Sequence, residues 1–147
     1  MLNIFSSPPF YTMFVFPPSG DPVSPEIRNN PKFWPYFKDA IGALDGSHIS
    51  ASPPAHSCSA YRNRKGFLSQ NCLFACGFNL LFTYSLTGWE GSASDARLYD
   101  DACSTDLYIP DGKYLLGDLG FPLKKCLLVP YRGVRYHLAE WGRANVR

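Results

Sequence analysis

The sequence predicts an α/β domain built on a mixed sheet, in the order strand, strand, strand, helix, strand, strand. Apolar runs of strand length recur at 40–49, 69–87 and 114–129, broken by turn residues and not by long helical periods. One helix-favouring stretch, Ala93 to Cys103, separates the third strand from the fourth. Composition is the third observation: 147 residues that are 46% hydrophobic, 16% aromatic and 18% charged suit one packed core and exclude a disordered or coiled-coil chain.

Taken in order, residues 1–30 carry the prolines of SSPPF and FPPSGDPVSP, which suppress helix and withdraw backbone donors. This segment reads as an extended N-terminal arm before a domain at 31–147. Asn30 to Lys38 (NPKFWPYFK) is an aromatic lead-in, expected as a short helix or turn packed on the core. Ala40 to Ile49, AIGALDGSHI, is the first strand, interrupted by the carboxylate of Asp45. Ala51 to Lys65 is polar, proline-bearing and basic at its end, the pattern of a surface loop. Ser69 to Asn79 and Leu80 to Thr87 then form a β-hairpin, and Gly88 to Ser92 turns the chain into the helix. Tyr114 to Asp118 is a strand ending in another carboxylate, and Cys126 to Val129 is the last, stopped by Pro130.

Several function classes are disfavoured at once. A net charge of +2 is too balanced for the whole molecule to be a polycation, so any basic surface is local. Five cysteines is an odd count, and no charged leader precedes a continuous apolar run, so a reducing compartment is expected and not a secreted disulfide framework. Cys72 and Cys76 lie in the apolar run NCLFACGF and read as buried thiols, with no second pair at zinc-finger spacing. His56-Ser-Cys58 is similarly weak as a metal site. No apolar run approaches the roughly 20 residues that span a bilayer, so no membrane association is expected.

The acids are the informative residues. Asp45 (LDG) and Asp118 (GDLG) each follow an apolar run and precede a glycine, so each carboxylate is expected near a strand end beside permissive backbone. An unpaired buried carboxylate is costly, and two that converge repel unless a divalent cation lies between them. A hard ion such as Mg²⁺ takes one or two protein carboxylates plus waters and phosphate oxygens, which is the composition of a phosphoryl-transfer site. Asp-Gly is equally a turn signal, and spacing alone leaves both readings open. Asp95 is the third candidate, and Ser92-x-x-Asp95 also has the form of a capping box. His48 could orient a phosphate or an outer water, or be structural. Asp100 and Asp101 read as a solvated helix face. Two basic clusters, Arg62-Arg64-Lys65 and Lys124-Lys125-Arg132-Arg135, the latter interleaved with Tyr131 and Tyr136, are candidates for salt-dependent phosphate contact.

Taken together, AIGALDGSHI, GWEGSASDARLYDDA and YLLGDLGFPLKKCLLVPYRGVRYHLAEW resemble the catalytic domain of Harbinger-type DDE transposases and the nucleases derived from them. IRNNPKFWPYFKDAIGALDG and YRNRKGFLSQN are similar too, so the likeness runs from about residue 20 to the end. The resemblance implies a ribonuclease H-like sheet, with the first three strands antiparallel and the fourth after a crossover helix. It implies Mg²⁺ or Mn²⁺ bound by Asp45, Asp95 and Asp118, with Asp45 and Asp118 as the inner catalytic pair. The implied reaction is two-metal hydrolysis or strand transfer on DNA, in the nucleus, beside a separate Myb-like DNA-binding protein. The family's last acid is a Glu in a segment resembling R-N-x-x-E-R. This sequence stops at Arg147, and Glu140 lies in a different block. The expectation is therefore a domain incomplete at its C-terminus and impaired as an enzyme, from a truncated gene or a transposon relic. One alternative is a non-catalytic relic that binds DNA or protein. Another, a metal-dependent phosphohydrolase on a different fold, explains the acids but not the ordered blocks.

Overall fold

The computed structural model describes residues 7–14 and 19–133. Its strands are β1 (Ala40–Ser50), β2 (Ser69–Cys76), β3 (Phe82–Glu90), β4 (Tyr114–Leu116) and β5 (Leu127–Leu128). Its helices are α1 (Phe10–Phe14), α2 (Pro25–Arg28), α3 (Cys58–Tyr61) and α4 (Asp95–Thr105). The strands form one mixed sheet in the order β3-β2-β1-β4-β5. β1 pairs antiparallel with β2 and parallel with β4. β2 and β3 are antiparallel, and β4 and β5 parallel. Between β3 and β4 the chain must cross from one flank of β1 to the other, and α4 is that crossover. The predicted ribonuclease H-like order is the observed one.

The core follows from strand parity. On β2 the residues Ser69, Asn71, Leu73 and Ala75 are all buried, and a period of two puts them on one face of the sheet. α4 lies against β2 and β3. It contributes Leu98, Tyr99 and Ala102, spaced to fall on one side of the helix. Phe121, Leu115 and Leu127 extend the same cluster under β4 and β5. β1 changes character midway: Ala40, Ile41, Gly42 and Leu44 are buried, while Asp45 and residues 47–50 are exposed.

Four expectations are corrected. The arm is not wholly extended: α1 and α2 interrupt it, Ile27 is buried, and the Tyr11 hydroxyl donates to Asp106 at the end of α4. The aromatic lead-in forms turns, as one of the two expected forms, but is not packed on the core: Trp34 and Tyr36 are exposed and none of residues 30–38 joins the core cluster. The hairpin is displaced toward the C-terminus. Gly77 N–H donates to Leu81 O, and Asn79 Oδ1 accepts from Leu81 N–H, so Leu80 and Leu81 stay in the turn and the strand begins at Phe82. The Asp100–Asp101 pair is not simply solvated, because Trp89 Nε1 donates to Asp101 at 2.8 Å and Asp100 pairs with Lys124. All five cysteines are free thiols, with Cys72 buried in β2. Among the described residues, no helix is long and apolar enough to cross a membrane.

Leu98 has no exposed surface at the centre of the α4–sheet contact. Leu98→Ala should destabilise the domain by about 2–5 kcal/mol, the range for emptying a buried leucine site. Urea unfolding should show a lower midpoint with an unchanged slope.

Candidate functional site

The end of β4 determines where the acids gather. β4 pairs with β1 only as far as Leu116 opposite Ala43, so from Asp45 onward β1 loses its neighbour on that side. Asp45 therefore does not end its strand, which runs on to Ser50 against β2. It sits instead where the sheet narrows. Asp118 lies just past the end of β4, as the sequence indicated. Its Oδ1 accepts from Gly120 N–H at 2.7 Å, and buried Phe121 anchors the loop against Tyr99.

Asp95 enters from the helix. The expected capping box does not form: Ser94 is the residue at the cap, with no side-chain cap bond. The Asp95 carboxylate turns instead toward the sheet, where Oδ1 accepts from Asn71 Nδ2 at 2.9 Å. The same nitrogen donates to Ala93 O at 3.0 Å. Asp95 Oδ1 occupies the place of a side chain on β1, since a Cβ built on Gly46 would lie 2.1 Å from it. A Cβ on Gly120 would lie 2.9 Å from Asp118 Oδ1 and 3.4 Å from Asp95 Oδ2. Asp95 is thus set between the segments that carry the other two acids.

Gly46 leaves room for Asp95 beside β1, and Asp45, one residue earlier on the same strand, lies close enough to feel the charges of both Asp118 and Asp95. Asp45 Oδ1 folds back to accept from Gly46 N–H at 2.8 Å. Partial burial pushes the Asp45 carboxyl above the ordinary carboxylate range, the Gly46 N–H offsets part of this, and the negative charges of Asp118 and Asp95 raise it further. Among the described residues no ion pair compensates these acids. The pairs among the described residues join Lys113 to Asp21 and Asp39, and Lys124 to Asp100.

The donor set, three carboxylates and no sulfur, fits a hard divalent cation. Among the described residues no three His, Cys, Asp or Glu side chains stand close enough together to enclose an ion. A hard ion of this kind takes one or two protein carboxylates and keeps its remaining waters.

The other candidates separate by environment. Beside Asp95 a cleft of about 250 Å³ is lined by His48, Asn63, Arg64, Lys65 and Asn71. His48 Nδ1 is 3.1 Å from Ser69 Oγ, and Asn63 Nδ2 donates to the same oxygen at 3.0 Å. Arg62 faces a different task, donating to Gly66 O at 2.7 Å within its own loop. In the second cluster Lys124 is bound to Asp100, with its ammonium 5.9 Å from the Tyr99 ring centre, while Lys125 and Arg132 are exposed. Arg135, Tyr136 and Glu140 lie outside the described residues.

Sequence reasoning missed Asn71. The signal was present: an amide in the run SQNCLFAC, at the same parity as Leu73 and Ala75, needs buried partners.

Residues 44–145 match the family model of the DDE superfamily endonucleases, a span that includes all three acids. The chain is similar to "Putative nuclease HARBI1" of Mus musculus, 33% identical over 93 residues, which is 61% of this chain. The aligned part is 27% of that relative's length, so the chain spans about a quarter of it. No solved structure matches the chain.

Two outcomes follow from this geometry. A raised carboxyl pKa contributes stability that is complete below the ordinary value near 4 and is lost as pH rises through the raised value. At neutral pH ionised Asp45 therefore opposes folding. Asp45→Asn should raise the thermal midpoint of the metal-free protein at pH 7, and the gain should shrink toward pH 3.5. Asn71→Leu leaves Ala93 O and Asp95 Oδ1 without their donor, and calorimetric unfolding should show a loss of about 1–3 kcal/mol.

Proposed function

The chain belongs to the DDE superfamily endonucleases, and we propose that its Asp45, Asp95 and Asp118 hold Mg²⁺ or Mn²⁺ for the cutting or joining of DNA phosphodiester bonds. The observation that carries this reading is a set of three carboxylates drawn to one end of the sheet with, among the described residues, no cationic side chain paired to any of them. Negative charge gathered in that way is unfavourable on its own. A bound cation would relieve it.

When bound, the metal supplies charge neutralisation at the phosphoryl oxygens and activation of the attacking water or 3′-hydroxyl. The protein's own part is positioning. Asp45 and Asp118 project from a strand and from a loop anchored by Phe121, and Asp95 is held by the Asn71 amide, so each carboxylate starts from rigid backbone. None needs to act as a nucleophile. Substrate contact falls to exposed cations, with Arg64, Lys65, Lys125 and Arg132 offering phosphate affinity that does not read sequence. Target choice then requires another source. A Myb-like DNA-binding partner acting with this domain in the nucleus is the form we propose for it.

Mn²⁺ titration by calorimetry tests the site directly. Wild type should bind, and Asp45→Asn, Asp95→Asn and Asp118→Asn should each lose about tenfold or more in affinity, as expected when a ligand or its alignment is removed. Binding by Asp45→Asn and Asp118→Asn as tight as wild type would remove the metal site. Nicking of supercoiled plasmid in Mn²⁺ then reads turnover. Weak cutting that Asp118→Asn abolishes marks an impaired nuclease, while metal and DNA binding without any cutting marks a binding module.

A further inference from the structure

The cleft beside Asp95 holds two cations, Arg64 and Lys65, that form no ion pair among the described residues. Arg64 and Lys65 line it together with Asp95, yet neither makes an ion pair with that carboxylate. Opposite charges that share a small cleft without meeting are left available to something outside the protein.

The cleft is also built to stay as it is. Asn63 is the centre of the loop that presents the two cations: its Oδ1 accepts from Lys65 N–H and Phe67 N–H, and its own N–H donates to Phe67 O at 2.9 Å. Arg62 closes the same loop through Gly66 O, which is why it is not among the cations facing the cleft. The opposite wall, Gly91 to Asp95, is tied across by Ser92 N–H donating to Ala60 O at 3.0 Å and by the Asn71 bonds to Ala93 and Asp95. His48 lines the same cleft, its ring positioned by Nδ1 at 3.1 Å from Ser69 Oγ.

We infer that this cleft is a phosphate subsite, where Arg64, Lys65 and His48 grip a backbone phosphate of the bound strand next to the bond presented to the acids. The identification of the strand as DNA rests on the function proposed above; the preference for a phosphate anion rests on the cleft itself. At about 250 Å³ the space is below the range of roughly 300–1,000 Å³ typical of whole drug-sized ligands, which suits one phosphate with part of its sugar. Arg supplies a planar fork and Lys a point charge, a combination suited to two oxygens of one phosphodiester. The geometry divides the loop's three basic residues into two that touch substrate and one that shapes the loop.

The test is fluorescence polarisation with a labelled single-stranded oligonucleotide, in EDTA, over a salt series. EDTA removes any dependence on the acids, so failure of the metal site does not affect the result. Arg64→Ala/Lys65→Ala should weaken binding about tenfold and reduce the salt slope by about one, whereas the charge-matched Arg28→Ala/Lys32→Ala should leave the slope unchanged. Equal affinities and slopes for the two double variants would overturn the subsite. Competition with inorganic phosphate distinguishes the source. No displacement at millimolar concentration supports a strand phosphate, while displacement, with calorimetric phosphate binding lost in Arg64→Ala/Lys65→Ala, keeps the anion site but overturns its assignment to DNA. If wild type binds no oligonucleotide at low salt, the nucleic-acid reading fails, and absence of phosphate binding in the same calorimetry would overturn the cleft as well.

Discussion

One amide nitrogen organises the working end of this domain. Asn71 Nδ2 donates both to the backbone at Ala93 and to the carboxylate of Asp95, from a side chain with 1% of its surface exposed. A buried amide that meets two acceptors fixes them relative to the strand that carries it. The start of α4 is thereby held against β2, and Asp95 is turned away from its own helix. Without that bond the carboxylate would be free to serve the helix terminus, as acids there ordinarily do. The amide's oxygen, Oδ1, is buried with no hydrogen-bond partner among the described residues. Such an atom is costly unless a water reaches it.

The glycines beside the acids have a spatial role more than a conformational one. Gly46 does not depart from the strand; it pairs with Leu73 in register. What it lacks is the Cβ that would collide with Asp95. Gly120 leaves room for both Asp118 and Asp95 in the same way. Any side chain at either position would displace a carboxylate, so Asp95, Asp118 and the two glycines form a single packing problem. Permissive backbone, the reading that the dipeptide Asp-Gly invites, is the wrong physical reason for the right residue.

The fold was largely legible because it depends on local signals. Apolar runs of strand length, one helical stretch and the turn residues between them gave the element order, and that order admits few topologies. Boundaries were less legible where long-range bonds decide them. Trp89 and Glu90 belong to β3 because they pair with Asn71 and Gln70, which no nearby residue announces. The arm's short helices depend on docking, through Ile27 and Tyr11, to surfaces formed much later in the chain. Asp45, Asp95 and Asp118 stand out in the sequence as candidates, but their environments do not. Asp95 looked like a helix cap because Ser92 stands three residues before it. Only the buried amide on a different strand determines which way it turns. The basic residues divide for a similar reason, since Arg62, Arg64 and Lys65 differ in what lies across the loop and not in their own chemistry.

α4 is held at both ends by polar bonds to other elements. Asn71 holds its first residue, and Asp106, immediately after its last turn, accepts from the hydroxyls of Tyr84 on β3 and Tyr11 on α1. Helix ends normally fray, opening a turn at a time while the rest of the domain stays intact. In α4 neither terminal turn can open without also releasing a strand or the arm. Its amides are therefore coupled to the sheet and should exchange with solvent as one cooperative unit. The crossover helix behaves as a strut, and the carboxylate at its tip keeps the positional precision of the sheet.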